Sequence, residues 1–167
     1  MTGRVVVMGP SGSGKSLVGA ALAERVGAAF VDADDLHPEV NLVKMARGIP
    51  LDDADRMPWL DAVARALDAA DAGLVVACSA LARRYRDRIR AGAPGIAFVE
   101  LLVDPRELSR RMDSRDHFMP TQLLGSQLTT WEHLEPDEVG LAVRNDRSVL
   151  DVVEEALSGL ERRQSLR

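Results

Sequence analysis

Residues 5–16 read VVVMGPSGSGKS. Val5 to Met8 make a short apolar run of the kind a buried strand uses, a glycine-rich octet follows from Gly9 to Ser16, and Leu17, Val18, Ala21 and Leu22 then recur at helical spacing. A strand, a G-x-x-x-x-G-K-S loop and a helix in that order build a phosphate cradle. Glycines at 9, 12 and 14 let the backbone turn successive N–H groups inward on an anion, at the positive end of the helix that follows. Pro10, Ser11 and Ser13 complete the loop. Lys15 is placed to reach the β- and γ-phosphates as a mobile point charge, and the Ser16 hydroxyl to take a coordination place on Mg2+. Only two of the 21 basic side chains are lysines, Lys15 and Lys44, so a lysine in this loop is a selected shape in a chain that otherwise prefers arginine.

Outward from the loop, apolar runs at Val5–Met8, Ala29–Val31, Leu74–Cys78, Ala97–Leu102 and Leu141–Val143 alternate with helical stretches. Such alternation predicts an α/β fold with a parallel sheet covered on both faces. The clearest helix is expected to begin near Pro58, after Asp52, Asp53 and Asp55, with Leu60, Val63, Ala64 and Leu67 on one face and Gly73 as its stop. A last helix is expected to open at Ser148, with Asp151 three residues on as a variant capping box. At 167 residues the chain reads as one domain, 1–167, with a polar segment at about 113–138 as a candidate lid.

Composition excludes several classes. The net charge of −5 and the scattering of arginines among acids argue against a nucleic-acid face. No apolar run reaches membrane length, the start is too short in apolar residues for a signal peptide, and Cys78 is a lone cysteine in an apolar stretch. Those features predict no membrane association, a reducing and cytoplasmic setting, and a thiol that packs as a small hydrophobe.

After the second run comes FVDADDLHPEVNLVKM, residues 30–45. Ligands of a parallel sheet sit at the carboxyl ends of its strands, which puts Asp32 and Asp34 on the edge that also carries the phosphate loop. While a strand persists, residues two apart point the same way. One carboxylate is then suited to hold Mg2+, directly or through water, and the other to accept a hydrogen bond from the hydroxyl to be phosphorylated. A solvated acidic loop or an Asx turn is the alternative. Asp35 reads as a turn or helix-start residue, and His37 reads equally as a substrate ligand or a hydrogen-bonded loop histidine.

GPSGSGKS, FVDADDLHPEVNLVKMARGIPLDDADRMPWL, CSALARRYRDRIR, HFMPTQLLGSQ and LEPDE together resemble the gluconokinase family of small P-loop sugar-acid kinases, in the family's order from Val5 to about Glu138. The resemblance implies a P-loop NTPase of the nucleoside-monophosphate-kinase type, with a five-stranded parallel sheet and a lid. It also implies transfer from ATP with Mg2+ to D-gluconate, and a homodimer. On those terms Asp34 orients and deprotonates the primary hydroxyl, while Ser16 and Asp32 face the metal. Arg56 moves from a surface ion pair to a carboxylate-gripping residue. His37, Lys44, Asn41 and Ser79 join the substrate pocket, and Arg83 and Arg86 become the better contact candidates of their arginine run. Arg111 and Arg115, four apart, share a helix face that would close over ATP.

The chain departs from the family pattern in four places. Arg115 to Met119 runs without the lid's usual glycine, Ala82 replaces a basic residue, Trp131 and His133 stand where leucine and proline are commoner, and Arg144 and Asn145 lie near the expected adenine site. The alternatives are a kinase for another aldonate or for shikimate, and a nucleotide-binding regulator without transfer.

Overall fold

The computed structural model describes residues 3–113 and 123–164. Five strands, β1 (Arg4–Met8), β2 (Ala29–Asp32), β3 (Leu74–Ala77), β4 (Ala97–Leu102) and β5 (Gly140–Arg144), form one parallel sheet in the order β2-β3-β1-β4-β5. Each of the five apolar runs is a strand. Central β1 pairs Val5 with Val75 on one side and Val6 with Phe98 on the other.

The pleat sorts β1 into two cores. Val6 and Met8 join Trp59, Leu60, Val63, Leu67, Tyr85 and Ile89 under α3 (Asp53–Asp68) and α4 (Arg83–Gly92). Val5 and Val7 join Val18, Leu22, Val152 and Ala156 under α1 (Lys15–Val26) and α7 (Val149–Gln164). Cys78 is buried in the first core, and burial pushes its thiol up to about 12, so it packs and does not ionise.

Helix α3 starts five residues before Pro58, contrary to the sequence expectation. Asp52 Oδ1 accepts from the Asp55 N–H at 2.8 Å and Asp55 Oδ2 accepts from the Asp52 N–H at 3.1 Å, a reciprocal capping box. Two satisfied donors begin the helix at Asp53, and the proline is carried inside it, early enough to interrupt only the first turns. At α7 the Ser148 hydroxyl caps as expected, accepting from the Asp151 N–H at 3.2 Å.

On the far side of the first core, Arg86 is fully buried. Its Nε and Nη2 each donate to Glu138 at 2.7 Å, and its remaining N–H groups reach the carbonyls of Ala80, Leu81, Glu132 and His133. Burial alone would raise the Glu138 carboxyl, but the guanidinium hydrogen bonds override it and hold the group at about 2. Arg86 is therefore structural: it ties α4 to the strap that leads into β5. Glu138→Gln leaves a buried guanidinium without its counter-charge, and we expect a loss of about 3–5 kcal/mol. Thermal unfolding should register a midpoint lower by on the order of 10 °C.

Candidate functional site

The phosphate loop leaves β1 at its carboxyl end and runs into α1, with Gly14 at φ +89 preceding the first helical residue, Lys15. A Cβ at Gly14 would stand 2.5 Å from Asn145 Nδ2, which donates to the Ser13 carbonyl at 2.7 Å. Buried Asn145, next to the end of β5, thus braces the loop. Gly9 at φ +154 is constrained likewise, its missing Cβ leaving room for the Ser13 hydroxyl. The first turn of α1 carries no acid, so nothing in it offsets the positive end of the helix.

Around this loop the structure gathers a cavity lined by Ser11, Lys15, Asp34, His37, Met45, Pro50, Leu51, Arg56, Trp59, Ser79, Ser126 and Gln127. Of the residues expected to bind substrate, Asp34, His37, Arg56 and Ser79 line it. Lys15 Nζ rests on the Pro10 carbonyl at 3.0 Å. The surrounding protein disfavours its charge and lowers its pKa, while Asp34 and Asp32 pull it back up.

The acidic pair is not arranged as strand alternation predicted. β2 ends at Asp32, and residues 33–36 form a single 3-10 turn that Asp32 caps by accepting from the Asp34 N–H at 3.0 Å. Capping splits the two carboxylates. The other Asp32 oxygen accepts the Ser16 hydroxyl, so the two groups expected at the metal touch each other. Asp34 turns into the cavity. Water reaches its carboxylate there, yet the cleft around it desolvates the charge enough to raise its pKa, against the opposing pull of Lys15.

The His37 side chain is buried. Its ring stacks on Trp59 with centroids 4.1 Å apart, and the Trp59 indole N–H donates to the Ala33 carbonyl at 2.7 Å. Buried Asn41, on α2 (Glu39–Ala46), donates through Nδ2 to the Asp55 carbonyl at 2.9 Å and meets His37 Nδ1 at 3.2 Å. Nδ1 is then the acceptor and the proton sits on Nε2, which lies 4.0 Å from Asp34 Oδ1. Burial and the Arg56 charge lower the imidazole pKa to about 4, so the ring is neutral near pH 7.

Three expected contacts fall outside the cavity. Lys44 Nζ holds both oxygens of Asp55 at 2.7 Å and locks α2 to the start of α3. Arg83 is taken by Glu135 and by Asp137, at 2.8 and 2.6 Å to the latter. Arg86 is buried against Glu138. Arg111, on α5 (Pro105–Asp113), reaches the Gly12 and Asn145 carbonyls at 3.2 Å each and pairs with Glu107 at 2.8 Å, so it spans the phosphate loop and the turn after β5. Arg115 and His117 lie outside the described residues, as does the first part of the expected lid.

The described part of that segment supplies two residues that sequence reading passed over. Helix α6 (Leu123–Thr130) brings Ser126 and Gln127 to the cavity, and Gln127 Oε1 accepts the Ser11 N–H of the phosphate loop at 2.7 Å. Beyond it, buried Glu100 accepts from the Trp131 indole at 2.9 Å, from His133 Nδ1 at 2.6 Å and from the Leu134 N–H at 3.0 Å. Trp131 and His133 therefore fasten the strap to β4. Among the described residues no cluster of three or more His, Cys, Asp or Glu is suited to hold a metal, and no helix is long and apolar enough to cross a membrane.

Comparison with known proteins agrees with this geometry. A family model described as an AAA domain matches residues 5–134. The thermosensitive gluconokinase of Escherichia coli K12 is 44% identical over 141 residues, covering 80% of this chain and 73% of that protein. The crystal structure of a gluconokinase from Sinorhizobium meliloti 1021 is 48% identical, with a TM-score of 0.88 over 96% of this chain and 93% of that one. A shikimate kinase from Acinetobacter baumannii shares the fold alone, at 17% identity and a TM-score of 0.68. Close likeness over most of both chains is thus found with gluconokinases, and the phosphate loop and the Asp32–Asp34 turn lie within the residues 5–134 that the family model matches: the chain belongs to the gluconokinase family of P-loop kinases.

Proposed function

We infer that this chain catalyses ATP-dependent phosphorylation of D-gluconate to 6-phosphogluconate. One observation carries the reading beyond the family: Arg56, the cavity's arginine, forms no ion pair with any carboxylate among the described residues, and it shares that cavity with Asp34 and Lys15. A pocket with a guanidinium that pairs with no carboxylate among the described residues, a desolvated carboxylate and a phosphate-loop lysine suits an acceptor with an acid at one end and a hydroxyl at the other.

Asp34 accepts the proton of the primary hydroxyl as that oxygen attacks the γ-phosphorus, the bond from the γ-phosphorus to the β,γ-bridging oxygen breaks and ADP leaves; its raised proton affinity makes it a better base than an ordinary carboxylate. Lys15 and the loop N–H groups hold the phosphates, and Arg111, with Arg115 from the expected lid at 113–138, adds positive charge over them. Ser16 and Asp32 are the residues that would hold Mg2+, which would supply positive charge against the negative phosphate oxygens. Their mutual hydrogen bond supports the fit, because it leaves two hard oxygen donors side by side at the end of the loop. The homodimer implied by the family resemblance belongs to the same reading and is checked by sedimentation.

The test is ADP formation with ATP and Mg2+ against D-gluconate, other aldonates, shikimate and no acceptor. Turnover that depends on gluconate is the expected result. Turnover with shikimate alone, or ADP release indifferent to the acceptor, overturns the reading.

A further inference from the structure

Arg56 lacks a carboxylate partner among the described residues, yet its guanidinium is held. Nη1 donates to the Tyr85 hydroxyl at 2.7 Å, and Cζ lies 5.1 Å from the centroid of the Tyr85 ring. That hydroxyl donates in turn to Asp53 Oδ1 at 2.6 Å. Arg84 closes the row from the outside, with Nε 2.9 Å from Asp53 Oδ2, Nη2 3.1 Å from Asp53 Oδ1 and 3.0 Å from the Tyr85 oxygen, and Cζ 4.5 Å from the ring centroid. The row runs from two exposed residues, Arg84 and Asp53, through buried Tyr85 to Arg56 at the cavity.

Proton counting gives the row a direction. A phenol carries one proton, and an ionised carboxylate can only accept. Hydrogen bonds from Arg84 and Tyr85 hold Asp53 at about 2, so it is ionised throughout the neutral range. The Tyr85 proton is therefore given to Asp53, and the oxygen lone pairs are left to the guanidinium N–H groups. Burial and the bond to Asp53 raise the tyrosine pKa, which keeps the hydroxyl neutral. The consequence is chemical. A carboxylate in the place of Tyr85 would orient Arg56 equally well but cancel its charge and compete with an incoming acid, whereas a phenol orients it and leaves the charge in place.

We propose that Tyr85 is a positioning residue for the acceptor's carboxylate: its hydroxyl, set by Asp53 and Arg84, fixes the Arg56 guanidinium so that its other N–H groups serve an anion in the cavity. The proposal rests on the functional reading above and adds to it the origin of the preference for an acid. Tyr85 acts through Arg56 and need not touch the substrate.

A double-mutant cycle on the full chain tests it, with kcat and KM measured for D-gluconate and ATP in the unmodified protein, Tyr85→Phe, Arg56→Ala and the pair. Phenylalanine keeps the ring and its packing. Tyr85→Phe is expected to raise the gluconate KM about tenfold, as the loss of one hydrogen bond to a charged group allows, with kcat and the ATP KM within about twofold. In the Arg56→Ala background the same change should add nothing to the loss of kcat/KM. Asp53→Asn, on the exposed rim, is the second variant and should raise the gluconate KM by the same route. A folded, active Tyr85→Phe protein with an unchanged gluconate KM overturns the proposal. So does an undiminished tenfold loss in the Arg56→Ala background, because Tyr85 would then act on its own. Absence of gluconate turnover in the unmodified chain is a separate result, which overturns the functional reading and this proposal with it.

Discussion

Asp34→Asn should lower kcat by about two to four orders of magnitude, the range in which removal of a positioned general base falls, while the ATP KM changes by no more than about twofold. The asymmetry follows from the division of labour after β2. Asp32 is spent on the Ser16 hydroxyl and on capping the 3-10 turn, and Asp34 alone faces the cavity. Asparagine can still accept a hydrogen bond from the substrate hydroxyl but cannot take its proton. An equal loss of ATP affinity would instead place Asp34 in the nucleotide site. The pH profile supplies a second readout. Because the Asp34 pKa is raised above the ordinary 3.8, the ionised form is lost on acidification earlier than for a solvated aspartate. The rate should therefore fall on the acid side at a pH above that value, and the fall should vanish from the residual activity of Asp34→Asn.

The elements that sequence reading located are those whose signal is local. Each strand is a contiguous apolar run, and the phosphate loop is a contiguous motif, so both were legible without knowing what lies beside them. Asp32 and Asp34 were legible as a pair but for a mistaken reason: strand alternation stops at Asp32, and it is a side-chain cap that sets the two carboxylates apart. The arginines of α4 were less legible. In ARRYRDRIR, Tyr85 and Ile89 mark the buried face four residues apart, and Arg86 lies beside them on that face, which is a packing signal that the density of charge concealed. Its partner Glu138 is 52 residues away, and no local pattern announces a buried bidentate pair of that kind. Gln127 is a similar case. Nothing in LLGSQ distinguishes a glutamine that meets the phosphate loop from one that faces water, because the contact with Ser11 spans 116 positions. Lys44 shows the reverse error, a cation drawn to the pocket by proximity in sequence and held by Asp55 in the fold.

Arg56→Ala should raise the gluconate KM by about two to three orders of magnitude and leave the ATP KM nearly unchanged. The magnitude is that of two charge-assisted hydrogen bonds to one carboxylate, about 1.5–3 kcal/mol each, less what water recovers in an open cavity. Arg56→Lys keeps the charge and loses the fork, and should fall between the two. A readout independent of turnover comes from His37. Its imidazole is lowered to about 4 first by burial and then by the positive charge of Arg56, so removal of that charge leaves burial alone and the pKa must rise towards the ordinary 6.5. NMR titration of the His37 ring in Arg56→Ala measures the rise with no substrate present. An upward shift together with the raised KM would mean that the Arg56 charge is directed into the cavity. A raised KM with no movement of His37 would mean that the guanidinium acts from elsewhere, and Arg56 would then lose its assignment as the group that meets the acceptor's acid.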